Sequence, residues 1–240
     1  MKKPIMIIFA SLLTAAIVYW LYAYQLDAVL KPNDEKTIIA LGDSLTYGIG
    51  DEKEQGYIGQ LRKKLNQQSE YIFTIRNFGI PGQESSDLLK QLNSINVNET
   101  FNEANLVIVY IGTNDLRMAT GGNFQNISKE TIAEKKEIYT KNMEKILPVI
   151  REFNPSAPIL VVGLYNPFQQ SNQLNDIVSD WDESIQLITK HHENTHFIPT
   201  NDLLKDKNKE DYFSDALHLN HKGYDLIADR IGTYMEEKLK

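Results

Sequence analysis

From residue 37 onward, short continuous apolar runs alternate with longer stretches whose apolar positions recur every three or four residues. The first run is Thr37-Ile38-Ile39-Ala40-Leu41, and further runs span Tyr71 to Arg76, Asn105 to Ile111, Pro158 to Leu164 and Thr195 to Ile198. Such runs suit strands covered on both faces of a parallel sheet. Between them, Tyr57, Ile58, Leu61 and Leu65 fall at helical spacing, and Asp87 to Leu92 reads as a short helix. Thr131-x-x-Glu134 has the form of a capping box opening a long helix with Ile138, Met143, Ile146, Leu147 and Ile150 on one face, and Pro148 is expected to kink or shorten its end. Leu174, Ile177, Val178, Trp181, Ile185 and Ile188 form another apolar stripe, and a last helix starts near Asn220 and carries Ile227, Ile231 and Met235. Five strands alternating with helices predict an α/β fold with a central parallel five-stranded sheet covered on both faces.

The first thirty residues break this pattern. Lys2 and Lys3 precede a run from Ile5 to about Tyr24 without charge, long enough to span a bilayer as a helix. Its length, its Tyr19, Trp20, Tyr22 and Tyr24, and the lack of a clear Ala-x-Ala site favour an uncleaved anchor over a signal peptide. Lysines at the start place the amino terminus in the cytoplasm and the body outside. Residues 1–30 are therefore expected to be an anchor or signal peptide. Lys31-Pro32-Asn33-Asp34-Glu35-Lys36 reads as a polar tether, and residues 31–240 as a single domain.

Composition narrows the functions. The 42% hydrophobic and 24% charged content of the 240 residues is that of a globular protein rather than a disordered one. There is no cysteine, which excludes disulfides, thiolate metal sites and a lipid-modified cysteine. Formal net charge is −7, and the chain has no basic stripe, which argues against nucleic-acid binding.

Chemistry gathers in the loops that follow the predicted strands, the edge at which open α/β sheets bind ligands. Gly42-Asp43-Ser44-Leu45 follows the first run, Asn77-Phe78-Gly79-Ile80-Pro81-Gly82 the second and Gly112-Thr113-Asn114-Asp115 the third, while Asp215-Ala216-Leu217-His218 precedes the last helix. Acyl transfer by serine needs a nucleophile, a base, an orienting carboxylate and donors for the oxyanion. Ser44, His218 and Asp215 are the catalytic candidates. The N–H groups of Ser44 and Gly79 and the Asn114 amide are the oxyanion-hole candidates. Asp43 is assigned to the turn and left out of the catalytic set.

At these four blocks, which occur in order from residue 42 to residue 218, the chain resembles the SGNH, or GDSL-type, hydrolases. The resemblance implies a flavodoxin-like three-layer α/β/α fold that hydrolyses esters or thioesters without a metal or other cofactor. The Gly-x-Ser-x-Gly elbow of α/β-hydrolases is absent, since Gly42-Asp43-Ser44-Leu45-Thr46 ends in threonine.

Other readings of the same residues are a serine that only caps a helix, glycines that only turn the chain, and a metal site on His218, His221 and Asp215. His191, His192 and His196 read as surface or structural residues, and the Trp181 stripe as core. The leading expectation is a membrane-anchored, extracytoplasmic serine lipase or esterase, lysophospholipase-like, acting on acyl-lipid esters with no obligate protein partner. The alternatives are an O-acetyl esterase of cell-wall polysaccharide and an idle glycan- or lipid-binding module. The stretch from Leu116 to Lys129 is expected to be a loop beside the site, and Leu116, Met118 and Phe168 are candidates to line an acyl groove.

Overall fold

A computed structural model describes residues 16–22, 35–51, 53, 56–94, 101–124 and 127–239. The chain divides into two compact units, Met1–Glu35 and Lys36–Lys240. In the first, residues 16–22 are helical with exposed side chains. The rest of the run from Ile5 to Tyr24, and the tether up to Asp34, lie outside the described residues, and so does most of the expected anchor or signal peptide. No helix among the described residues is long and apolar enough to cross a membrane.

The second unit is built on β1 (Glu35–Gly42), β2 (Ile72–Asn77), β3 (Ala104–Tyr110), β4 (Ile159–Val162) and β5 (Thr195–Ile198), in the order β2-β1-β3-β4-β5. The pairings of β1 with β3, β3 with β4 and β4 with β5 are parallel. Alternation along the strands divides the core. Ile39 and Leu41 of β1 and Val107 and Val109 of β3 enter one layer, whereas Ile38 and Ala40 of β1 and Leu106, Ile108 and Tyr110 of β3 enter the other.

The strands of this unit are connected and covered by helices, among them α1 (Ser44–Tyr47), α2 (Gly56–Gln68), α3 (Ser85–Ser94), α4 (Thr113–Ala119), α5 (Lys129–Phe153), α6 (Asn172–Lys190), α7 (Asn201–Leu204), α8 (Lys209–Tyr212) and α9 (His221–Lys238). α3 to α6 bury their apolar residues in the first layer, with Trp181 of α6 stacked on Tyr139 of α5 at 5.2 Å between ring centres. α2 and α9 bury theirs in the second. The result is the expected three-layer α/β/α fold. Its strand order reverses between β1 and β3, and a crevice for ligands opens at such a point, beyond the strands' carboxyl ends.

Several local expectations are corrected. α5 is capped by Ser128, which accepts from Thr131 N, so the helix begins before the expected capping box. It also runs on past Pro148 to Phe153, so the proline does not shorten it. Pro148 and Glu144 are both exposed, so the carbonyl that loses its N–H partner is on the side open to water. The expected loop from Leu116 onward starts as α4, because Leu116 and Ala119 are buried in the first core layer. The charged stretch from Asn201 to Asp211 holds two single-turn helices, α7 and α8.

Candidate active site

The turn after β1 is set by close packing. A Cβ at Gly42 would lie 2.1 Å from the Tyr110 carbonyl oxygen and 2.4 Å from Thr46 Oγ1, so only glycine fits. Asp43 then caps α1, its Oδ1 accepting from Leu45 N at 2.9 Å, and Ser44 takes the first helical position. The loop after β2 is sewn to this turn by Asn77, which donates from Nδ2 to Thr46 O at 2.7 Å and accepts at Oδ1 from Gly79 N at 2.9 Å. Gly79 is equally constrained, because a Cβ there would meet Tyr47 N at 2.4 Å.

The second half of the site is the turn before α9. Phe213 and Leu219 form an antiparallel bridge, and Ser214 N donates to His218 O at 2.9 Å. Within the turn, Asp215 Oδ1 accepts from Leu217 N and His218 N, both at 2.7 Å. Its Oδ2 lies 2.7 Å from His218 Nδ1, and His218 Nε2 lies 2.9 Å from Ser44 Oγ. With the carboxylate accepting at Nδ1, the network assigns the ring proton to Nδ1 and leaves Nε2 as the acceptor for the serine hydroxyl. Partial burial raises the Asp215 pKa, but hydrogen bonds from the His218 ring and from the His218 and Leu217 N–H groups outweigh it and hold the carboxyl below its ordinary range.

Two side chains fasten this turn to the loop after β4. Tyr165 OH donates to Leu217 O at 2.7 Å. Lys209 Nζ donates to Pro167 O at 2.8 Å and Ala216 O at 2.7 Å, and stands 4.4 Å from the centre of the Phe168 ring and 5.1 Å from that of Phe213.

Asn114, near the start of α4, donates from Nδ2 to Gln83 O at 3.0 Å and to Asp43 Oδ2 at 3.4 Å. The expected oxyanion residues therefore converge on the nucleophile turn, but in unequal states. The Ser44 N–H opens a helical turn, where no carbonyl of the helix can reach it. The Gly79 N–H is shared with Asn77, and the Asn114 amide has one long bond, to Asp43, that is the easier to redirect. Behind Asn114, Asp115 accepts from Ser85 N at 2.9 Å and from Ser85 Oγ, which in turn accepts from Asn142 Nδ2 at 2.9 Å. Burial pushes Asp43 up to about 7 against the Leu45 hydrogen bond, with Asp115 adding repulsion. It pushes Asp115 to about 6 against its bonds to Ser85.

Ser44, Asp215, His218, Gly79 and Asn114 are thus brought together from four loops. His221 is not: its Nδ1 lies 3.3 Å from Asp51 Oδ2, and among the described residues no three His, Asp or Glu side chains are grouped to hold a metal ion. Leu116 faces the core rather than a groove, and Phe168 packs on the buried Phe124 at 5.7 Å between ring centres. The sequence reading missed the fastening roles of Tyr165 and Lys209 and the support from Gln83, Ser85 and Asn142. Asn77 stood in a recognised block without a role, and its place two residues before a glycine is the one local signal of an Asx turn. Further along the same edge, the loops after β4 and β5 enclose a cleft of about 460 Å³ lined mainly by amides, among them Asn166, Gln170, Asn172 and Asn175.

The model of the GDSL-like lipase/acylhydrolase family matches residues 40–226. An uncharacterized protein of Bacillus subtilis strain 168, YpmR, is 32% identical over 208 residues, covering 84% of this chain and 82% of its own. The spore germination lipase LipC of Bacillus licheniformis is 23% identical over 197 residues, covering 80% and 92%. Among solved structures, the lipase Lip_vut3 from a goat rumen metagenome superposes with a TM-score of 0.77 at 23% identity, covering 85% of this chain and all of that one.

Proposed function

The chain belongs to the GDSL-like lipase/acylhydrolase family, and from that premise we propose that it hydrolyses carboxylic esters of acyl lipids through an acyl-enzyme on Ser44. The observation that carries this reading is the continuous relay from Ser44 Oγ through the His218 ring to Asp215. Ser44 Oγ attacks the acyl carbon while His218 Nε2 takes its proton, and Asp215 stabilises the imidazolium that forms. The tetrahedral oxyanion is received by the Ser44 and Gly79 N–H groups and the Asn114 amide, which swings from Asp43 to the new charge. His218 then protonates the departing alcohol, and a water deprotonated by the same nitrogen releases the acid.

The test is hydrolysis of chromogenic acyl esters by the purified full chain beside Ser44→Ala and His218→Ala. Each substitution should lower kcat by about 10⁴-fold or more. Equal turnover by all three proteins would refute the assignment.

A second reading, an esterase of O-acylated sugars, is favoured by the amide-lined cleft, because neutral amides complement vicinal hydroxyls. A preference for acetylated oligosaccharides over lipid esters would select it. The placement of the enzyme outside the cytoplasmic membrane, held by its amino-terminal segment, rests on Lys2, Lys3 and the uncharged run after them. Protease accessibility of the body in intact cells tests that placement.

A further inference from the structure

The segment that follows the nucleophile's helix runs along the base turn. Gly48 N and Ile49 N both donate to Ser44 O at 3.0 Å, so the chain leaves α1 on a course tied to Ser44 itself. At Gly50 the backbone comes so close to the turn before α9 that a Cβ would stand 2.3 Å from Leu219 O and from Ser214 Oγ, and 3.2 Å from His218 Cβ. A polar contact crosses the same seam on either side of Gly50. Ile49 O accepts from Tyr224 OH of α9 at 2.7 Å, and Asp51 Oδ2 lies 3.3 Å from Nδ1 of His221, the first residue of α9. Asp51 brings a carboxylate into this seam: its side chain is wholly buried, whereas that of His221 is 43% exposed. Gln60 of α2, itself buried, completes the joint by donating from Nε2 to His221 O at 2.8 Å and to Asp51 Oδ2 at 3.3 Å, while Lys53 N donates to Asp51 Oδ1 at 3.1 Å.

A buried carboxylate is costly unless donors meet its oxygens, so Asp51 binds its partners to one arrangement more firmly than an exposed pair would. Those partners lie close along the chain to both reacting side chains, Asp51 seven positions after Ser44 and His221 three after His218. The 2.9 Å between Ser44 Oγ and His218 Nε2 depends on how the two turns are set against each other, and this seam sets them. We propose that Asp51 and His221 are positioning residues for the hydrolysis: their joint, braced by Gln60, fixes the approach of the His218 ring to the Ser44 hydroxyl. The proposal rests on the ester-hydrolase reading of Ser44 and adds to it two residues that act through Ser44 and His218 rather than on the substrate.

The experiment is steady-state hydrolysis of p-nitrophenyl esters by the full chain and its variants. Asp51→Asn keeps the size of the side chain and the acceptor for Lys53 N, but turns an amide NH2 toward Gln60 Nε2 and His221 Nδ1, where an acceptor stood. His221→Ala removes the partner from the other side, at an exposed ring, and His221→Asn puts an amide nitrogen near the place of Nδ1. Asp51→Asn and His221→Ala should each lower kcat by about ten- to a hundredfold with KM little changed, the order expected when reacting groups are misplaced by up to about 1 Å. The double variant should be no slower than the slower single one, because both side chains act through one joint. His221→Asn should recover most of the native kcat. Lys64→Met, which breaks the ion pairs of α2 to Asp225 and Asp229 of α9 without touching the joint, should keep the native kcat. Native kcat in both single variants overturns the proposal, and so does a loss that falls on KM, that Lys64→Met shares or that His221→Asn fails to recover. A loss that only follows the unfolded fraction, read by urea unfolding in the assay buffer, also overturns it and leaves the two residues a purely structural role. In each of these cases native turnover that is lost in Ser44→Ala keeps the hydrolase reading standing. No turnover of any ester by the native protein overturns the hydrolase reading and the positioning role together.

Discussion

On the proposed mechanism Asp215 and Asn114 serve the same reaction from opposite solvent environments, and their substitutions should differ accordingly. The Asp215 side chain is 52% exposed although it bonds the His218 ring, so water can take over the Nδ1 proton when the carboxylate is removed. Asp215→Ala should therefore lose roughly a hundredfold less kcat than His218→Ala; equal losses, measured under saturating substrate, would show that the carboxylate is indispensable rather than supporting. Asn114 is buried and donates to a neutral carbonyl and a carboxylate. Asn114→Ala should lower kcat by about 10²- to 10³-fold with KM little changed, since its N–H is engaged most strongly once negative charge forms. A proportionate rise in KM with kcat intact would instead make it a ground-state contact.

At the scale of elements, the site depends on a short turn, Phe213 to Leu219, that no strand or long helix holds. Its hydrogen bonds are internal except where neighbouring elements reach in, and α8 supplies Lys209 for that purpose. Burial lowers the Lys209 pKa, with Asp215 opposing, so this ammonium gives up solvation for the two carbonyls it bridges. Lys209→Met should cost roughly 2 kcal/mol of stability, the order expected when charge-assisted hydrogen bonds are lost. It should lower kcat more than KM, because the turn it releases carries the proposed base, His218; Lys209→Arg should recover much of the loss. Urea unfolding and steady-state kinetics on the same preparations separate the two effects, and a variant with native stability and native kcat would remove Lys209 from the account. The central strands offer the opposite case, since the continuous apolar runs of β1, β3 and β4 are buried on both faces and are held by the two core layers.

For the whole molecule, two buried carboxyls and one largely shielded from solvent tie stability to pH. Burial raises Asp43 and Asp182 to about 7 and Asp115 to about 6, well above their values in an unfolded chain. Between those limits the native state keeps protons that the unfolded state releases, so stability is greatest below about pH 4 for these groups and falls as pH rises through 6 to 7. Asp215, held low, works the other way, losing its contribution only as pH falls through its own depressed value. The thermal midpoint should therefore decline from pH 5 to pH 8, and Asp182→Asn, which keeps the acceptor for Leu164 N, should flatten that decline. Calorimetry across this range checks it; a midpoint that rises with pH would mean that these carboxyls are ionised in the native state.

What the amino-acid sequence determined by itself was whatever depends on near neighbours along the chain. Strands follow from apolar runs, helices from stripes such as that of Trp181, and the Asp-x-x-His pairing from a spacing that lets Asp215 reach the His218 ring and the backbone N–H groups two and three residues on. The three strand-end blocks were legible for the same reason: each carries glycine with serine, asparagine or aspartate, whose turn chemistry is local. Tertiary structure alone decided what depends on groups distant in sequence. It set Nε2 of His218 against the hydroxyl of Ser44, 174 positions away, and hung the Asn114 amide between Gln83 and Asp43. It buried Leu116 while leaving Met118 open, a choice made by the packing of α4 against the sheet and α5. A side chain's partners across the fold are set by shape and burial, and no local pattern records them.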